Sequence, residues 1–193
     1  ITADADDSPS DVHYFRRRFA LEREVESARL YITSLGLYRA EINDRRVGND
    51  VLTPGWTSYK ERLQYQVYDV TSLLQKHENE IKVALADGWY RGFLTWDMRR
   101  DVYGDQSAII AQLEVEYEDG ERDRICTDEL WQTFRGPIQS ADIYNGERYD
   151  ARLEASSAES VGTSVTVVSL PTSQLIHSNS QPVQEIETVE LAD

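Results

Sequence analysis

An all-β sandwich is the fold class this sequence predicts, and three observations predict it. Short segments rich in β-branched and aromatic residues follow one another with little helical pattern between them. Where alternation can be checked it has period two: Ala111, Leu113, Val115 and Tyr117 share one face, and Gln112, Glu114 and Glu116 the other. Finally, Asn43-Asp44 and Asp119-Gly120 tolerate positive φ and sit between apolar runs, as tight hairpin connections require.

Taken in order, residues 1–11 (ITADADDSPSD) are acidic, small and Pro-containing, and predict a flexible lead-in with too little apolar surface to order itself. Strands are expected over 12–21, 28–35, 37–43, 64–70, 79–86, 107–117, 121–127, 131–135 and 138–144. In 64–70 the pattern is mixed, with Tyr65, Val67 and Asp69 opposed to Gln64, Gln66, Tyr68 and Val70. Residues 69–74 form the one helical turn, capped by Asp69 or Thr71 with its leucines pointing inward. After Arg152 the composition shifts to Ser, Ala, Thr and Glu, and the runs 165–170 and 183–189 are read as the last strands. Gln181-Pro182 breaks regular structure before the second run, which alternatively starts a linker. The organisation is thus a lead-in (1–11), a β-sandwich module (12–170), and a last strand or linker toward a downstream domain (171–193).

The formal net charge is −15, from 35 acidic and 20 basic residues, and such a field repels phosphate backbones and anionic membrane surfaces. Neither nucleic acid nor a membrane is expected as a partner, and no apolar run reaches the roughly 18 to 20 residues that span a bilayer. Cys126 is the only cysteine, which rules out an intrachain disulfide and paired-cysteine zinc spacings. A lone cysteine leans toward a cytoplasmic setting and leaves export open. The three histidines, His13, His77 and His177, lack Ser, Cys or acidic partners at a hydrolytic spacing, and His13 is read as a surface or edge residue.

Residues 28–74 (ARLYITSLGLYRAEINDRRVGNDVLTPGWTSYKERLQYQVYDVTSLL) resemble the amino-terminal domain of bacterial α-L-rhamnosidases. Three further blocks follow in that family's order: 85–92 (LADGWYRG), 108–117 with Asp119-Gly120, and 142–152 (DIYNGERYDAR). The resemblance implies a mostly antiparallel jelly-roll sandwich of galactose-binding-like type. It also implies a catalytic helical-barrel domain in the same polypeptide, needing several hundred further residues. The acid and base of the chemistry would lie there, so this stretch alone is expected to be inactive, with no catalytic residue to assign.

The candidate contact residues lie in two blocks. In the first, Asp87, Trp89, Tyr90, Arg91 and Trp96, with Asp97 and Asp101 nearby, combine rings that stack on sugar C–H patches with groups that pair to vicinal hydroxyls. Anchoring of the loop, or contact with the catalytic domain, is the structural reading of the same residues. In the second, Asn145 and Glu147 offer oxygens to a sugar or to calcium. The structural alternative is a network that pins the sandwich to its neighbour. Pro54-Gly55-Trp56 is expected to turn the chain and plug Trp56 into the sandwich edge. Partners are accordingly the catalytic barrel and rhamnose-containing glycans or glycosides; no cofactor is required, and calcium is a possible one.

Overall fold

The structure, a computed structural model, describes residues 1–3, 10–154, 161–169, 174–187 and 189. Its strands run, in chain order, β1 (His13–Leu21), β2 (Val25–Leu35), β3 (Leu37–Ile42), β4 (Arg45–Arg46), β5 (Asp50–Val51), β6 (Arg62–Asp69) and β7 (His77–Ala86). They continue as β8 (Ala108–Tyr117), β9 (Arg122–Cys126), β10 (Gln132–Phe134), β11 (Ile138–Asp142), β12 (Gly146–Tyr149), β13 (Thr163–Ser164), β14 (Gln174–His177) and β15 (Val183–Gln184). The described residues also include a four-residue helix, α1 (Gly88–Arg91), and a 3-10 turn (Thr71–Leu73).

Among the described residues two sheets form the sandwich, one ordered β13-β10-β1-β7-β3-β4 and the other β14-β6-β2-β8-β9. All pairs in them are antiparallel except β14 with β6. Alternation explains the packing. Phe15, Ile81, Val83, Leu85 and Ile42 point in from the first sheet and meet Leu30, Ile32, Ile109, Leu113 and Val115 from the second, in one buried cluster. The jelly-roll sandwich expected from the sequence is the architecture found.

Consecutive strands change sheet at Gly36, which separates β2 from β3. Its φ is +140°, and a Cβ there would lie 2.3 Å from the carbonyl oxygen of Ala86, so any larger residue would force the corner open. Asn43 and Asp44, at φ 51° and 61°, make the tight β3–β4 turn, and Gly120 at φ 82° closes β8 onto β9. In the helical turn the Asp69 carboxylate accepts from the Thr71 N–H at 3.0 Å, and Leu73 and Leu74 pack on the core.

Several expectations are corrected. His13 is buried, not a surface residue, because β1 is an interior strand flanked by β10 and β7. Of the expected lead-in, residues 4–9 lie outside the described residues; Ile1 is buried in the core cluster and Thr2 bridges to Thr166. Within 165–170, Val165 is buried and Thr166 makes that bridge, but the run forms no strand among its described residues; Leu170 lies outside them. Instead β14 lies beside β6, with Leu175 opposite Leu63 and His177 opposite Tyr65. Of 183–189, Val183–Gln184 pairs with β5.

Candidate functional site

The loops at one end of the sandwich gather most of the residues singled out above, and they do so around two carboxylates. Asp87 follows β7 and leads into α1. Its neighbour Gly88 has φ +54°, and a Cβ there would sit 2.5 Å from Leu37 Cγ, so the helix starts pressed against β3. The Asp87 side chain does not cap this helix. It turns inward, 1% exposed, where it accepts from the Ser10 N–H (3.0 Å) and from Arg100 Nη2 (2.6 Å) and lies 3.6 Å from Arg91 Nη1. Burial pushes its carboxyl upward from the ordinary value of 3.8, opposed by Arg91, the Ser10 N–H and Arg100.

Asp87 and Arg91 therefore hold the loop together and present little surface to a ligand. Arg91 is 9% exposed and also faces Asp101 at 3.6 Å. Tyr90 is half-buried, edge-on to Tyr59 at 5.2 Å, and joins Leu35, Leu63 and Ala108 in a second, small apolar core.

Of the tryptophans, Trp56 and Trp96 are exposed and Trp89 is half-buried. Trp89 stacks on Trp56 with centroids 5.9 Å apart and planes 6° from parallel. Trp56 is 55% exposed and donates its Nε1 hydrogen to the Tyr103 hydroxyl at 3.0 Å, so it is a ring laid on the surface and not an edge plug. Its partner ring and the Tyr103 hydroxyl, 47 positions away, fix it there. Trp96 lies at the tip of a small hairpin closed by Leu94 and Arg99, which exchange both backbone hydrogen bonds (2.7 and 2.9 Å). Leu94 anchors the base, 5% exposed, while Trp96 is fully exposed. Thr95, Met98 and Asp101 adopt left-handed φ to make this excursion, a conformation uncommon for a β-branched residue such as Thr95.

Asn145 and Glu147 belong to a different device. Asp142 Oδ1 accepts from the backbone N–H of Tyr144 (2.9 Å) and Asn145 (3.0 Å) and from Asn145 Nδ2 (3.0 Å), shaping the turn between β11 and β12. Its Oδ2 accepts from the Phe93 N–H at 3.1 Å. One carboxylate thus ties the β11–β12 hairpin to the tryptophan-bearing loop. Asn145 serves the turn and Glu147 is exposed on β12. Among the described residues no three acidic, His or Cys side chains group to hold a metal ion, and this pair does not fit a calcium site.

Sequence reasoning missed Asp142 as the link, Trp56 as an exposed ring, and the β11–β12 hairpin itself. The last had a signal, the Asn145-Gly146 dipeptide, with Gly146 at φ 79°. The Asp142–Phe93 bond had none, because a side chain reaching 49 positions back leaves no periodic trace.

Comparison with known proteins agrees with this geometry. The profile described as "Alpha-L-rhamnosidase N-terminal domain" matches residues 23–187. An α-L-rhamnosidase of Streptomyces avermitilis is 47% identical over 154 residues, covering 79% of this chain and 15% of the relative. One from Formosa agariphila is 42% identical over 144 residues, covering 73% of this chain and 15% of the relative. Among solved structures, the native α-L-rhamnosidase of Aspergillus terreus superposes with a TM-score of 0.87 at 39% identity, covering 94% of this chain and 22% of that one. The S. avermitilis enzyme complexed with L-rhamnose gives 0.85 at 40% identity, covering 91% of this chain and 18% of that one. The chain therefore spans under a quarter of the length of these relatives, and over that length it belongs to the α-L-rhamnosidase N-terminal domain family.

Proposed function

We propose that this domain is a non-catalytic accessory module of an α-L-rhamnosidase, a glycoside hydrolase acting on terminal α-L-rhamnose. Its covalent partner is the catalytic helical barrel, and its loop end supports recognition of rhamnose-containing glycans. The family match over residues 23–187 supports the first part. For the second, the observation that carries the reading is the exposed Trp56, backed by the half-buried Trp89, together with the fully exposed Trp96 of the following hairpin. Flat exposed rings held by polar anchors suit the C–H faces of a sugar ring. The solved relative complexed with L-rhamnose makes that sugar the natural probe.

Isothermal titration of the domain with L-rhamnose, in calcium and then in chelator, tests the loop end. Saturable heat that is reduced in Trp56→Ala and in Trp96→Ala is the expected result. A flat trace leaves a scaffold for the barrel, and heat only in calcium points to an ion that this loop end recruits with the sugar. The isolated chain should release nothing from an aryl rhamnoside; turnover abolished by one carboxylate substitution would overturn the non-catalytic reading.

A further inference from the structure

We infer that the outer face of the six-stranded sheet carries a second sugar notch, separate from the tryptophan-bearing loops, that takes a neutral pyranoside. Cross-strand register lines up Phe134, Tyr14, Ala84 and Arg39 in one row over β10, β1, β7 and β3. Alternation puts all four on the solvent side, since Phe15, Val83 and Ala40 beside them are core. Ala84 is the small residue of this row, and the space above it is a recess of about 210 Å³.

The walls of the recess differ in chemistry. On one side Tyr14 lies against Phe134, centroids 5.5 Å apart, and its hydroxyl accepts from the Ile138 N–H at 3.1 Å, which fixes the ring. Burial raises the Tyr14 hydroxyl above its usual value, keeping it neutral. Ile138 begins the β11–β12 hairpin, so this end is overhung by Tyr149, which pairs with it. On the other side stands Arg39, its side chain 59% exposed, with Glu41 at 3.6 Å and Lys82 beyond at 3.8 Å from Glu41.

A guanidinium and an ammonium only donate hydrogen bonds, and a carboxylate only accepts them, whereas vicinal hydroxyls do both. An aromatic wall facing such a mixed pair matches a pyranose with an apolar C–H face on one side and hydroxyls on the other. Neutrality follows from the charges: Glu41 lies between Arg39 and Lys82, Lys82 is also paired with Asp44, so the cations are matched, and the net charge of −15 opposes an acidic sugar.

The test is amide chemical-shift mapping of the full chain during titration with L-rhamnose and with a neutral rhamnosyl disaccharide. Shifts centred on Tyr14, Ala84 and Arg39 are expected to saturate and to persist in the Trp56→Ala/Trp96→Ala double variant. Ala84→Tyr fills the recess from the solvent side and should weaken those shifts by more than about tenfold, with Arg39→Met acting in the same direction. Shifts confined to residues 88–104, no saturable shifts at all, or full binding by folded Ala84→Tyr would each overturn the notch. Wild-type shifts at the notch with none at residues 88–104 would sink the loop-end reading alone.

Discussion

The sandwich core and the loop end are held by different physics. In the core, residues such as Leu30, Leu113 and Trp131 are essentially inaccessible, and shape and apolar burial do the work. At the loop end, a fully buried carboxylate, a half-buried one and a set of rings organise residues 87–107 with little apolar mass beneath them. The core therefore tolerates no loss of volume, whereas the loop end tolerates changes in its rings and not in its acids.

Removing Trp131 should show the core side of that contrast most strongly. It is 1% exposed and its Nε1 donates to the Cys126 carbonyl at 2.9 Å, so Trp131→Ala should lose about 3–5 kcal/mol in urea denaturation. A loss below about 1 kcal/mol would mean the core collapses around the gap and the contrast is wrong.

Asp87 comes next. Asp87→Ala strips the acceptor from Ser10 and Arg100 and should cost about 3 kcal/mol, with hydrogen exchange accelerated in residues 88–107 before the strands. Asp87→Asn keeps an acceptor and should cost less. Because burial raises the folded carboxyl above its unfolded value, the folded state holds that proton more tightly. The Asp87 contribution is then most favourable below 3.8 and declines as pH rises through the folded value, so wild type should lose ground to Asp87→Asn over that window. A difference independent of pH would show that Arg91, Arg100 and the Ser10 N–H cancel the effect of burial, leaving the carboxyl's hold on its proton unchanged by folding.

The rings should matter less to stability. Trp56→Ala removes one stacked pair and one hydrogen bond at a half-exposed site, worth about 0.5–1.5 kcal/mol, and should abolish the near-ultraviolet circular dichroism of the coupled indoles. Smallest of all, Trp96→Ala should leave the melting curve within about 0.5 kcal/mol of wild type while lowering sugar affinity. A large destabilisation there would make Trp96 a structural residue.

The same contrast explains what could be read in advance. Ala111, Leu113, Val115 and Tyr117 announce an inner face because burial repeats every second residue, and Asn43-Asp44 announces a turn because few residues accept its φ values. Nothing repeats at the loop end. DGWYRG singled out a segment in which Asp87 is the buried anchor, while Trp56, from a separate block, supplies an exposed ring. At the carboxyl end β14 was missed for a related reason: four residues beside β6 borrow their order from Leu63 and Tyr65, and carry too little pattern of their own.

Sheet order has a consequence in time. The central strand β1 pairs with β7 and β10, β2 pairs with β8, and β6 receives β14 from far along the chain. Neither β1 nor β2 pairs with its neighbour in sequence: each waits for β7 or β6, tens of residues on, and then for β10 or β8 on its other side. Such non-local pairing sets folding on the order of milliseconds to seconds. Until then Phe15 and Leu30 stay open to solvent and to neighbouring chains, so the late strands β8 and β10, more than the early ones they complete, decide how much nascent protein escapes aggregation.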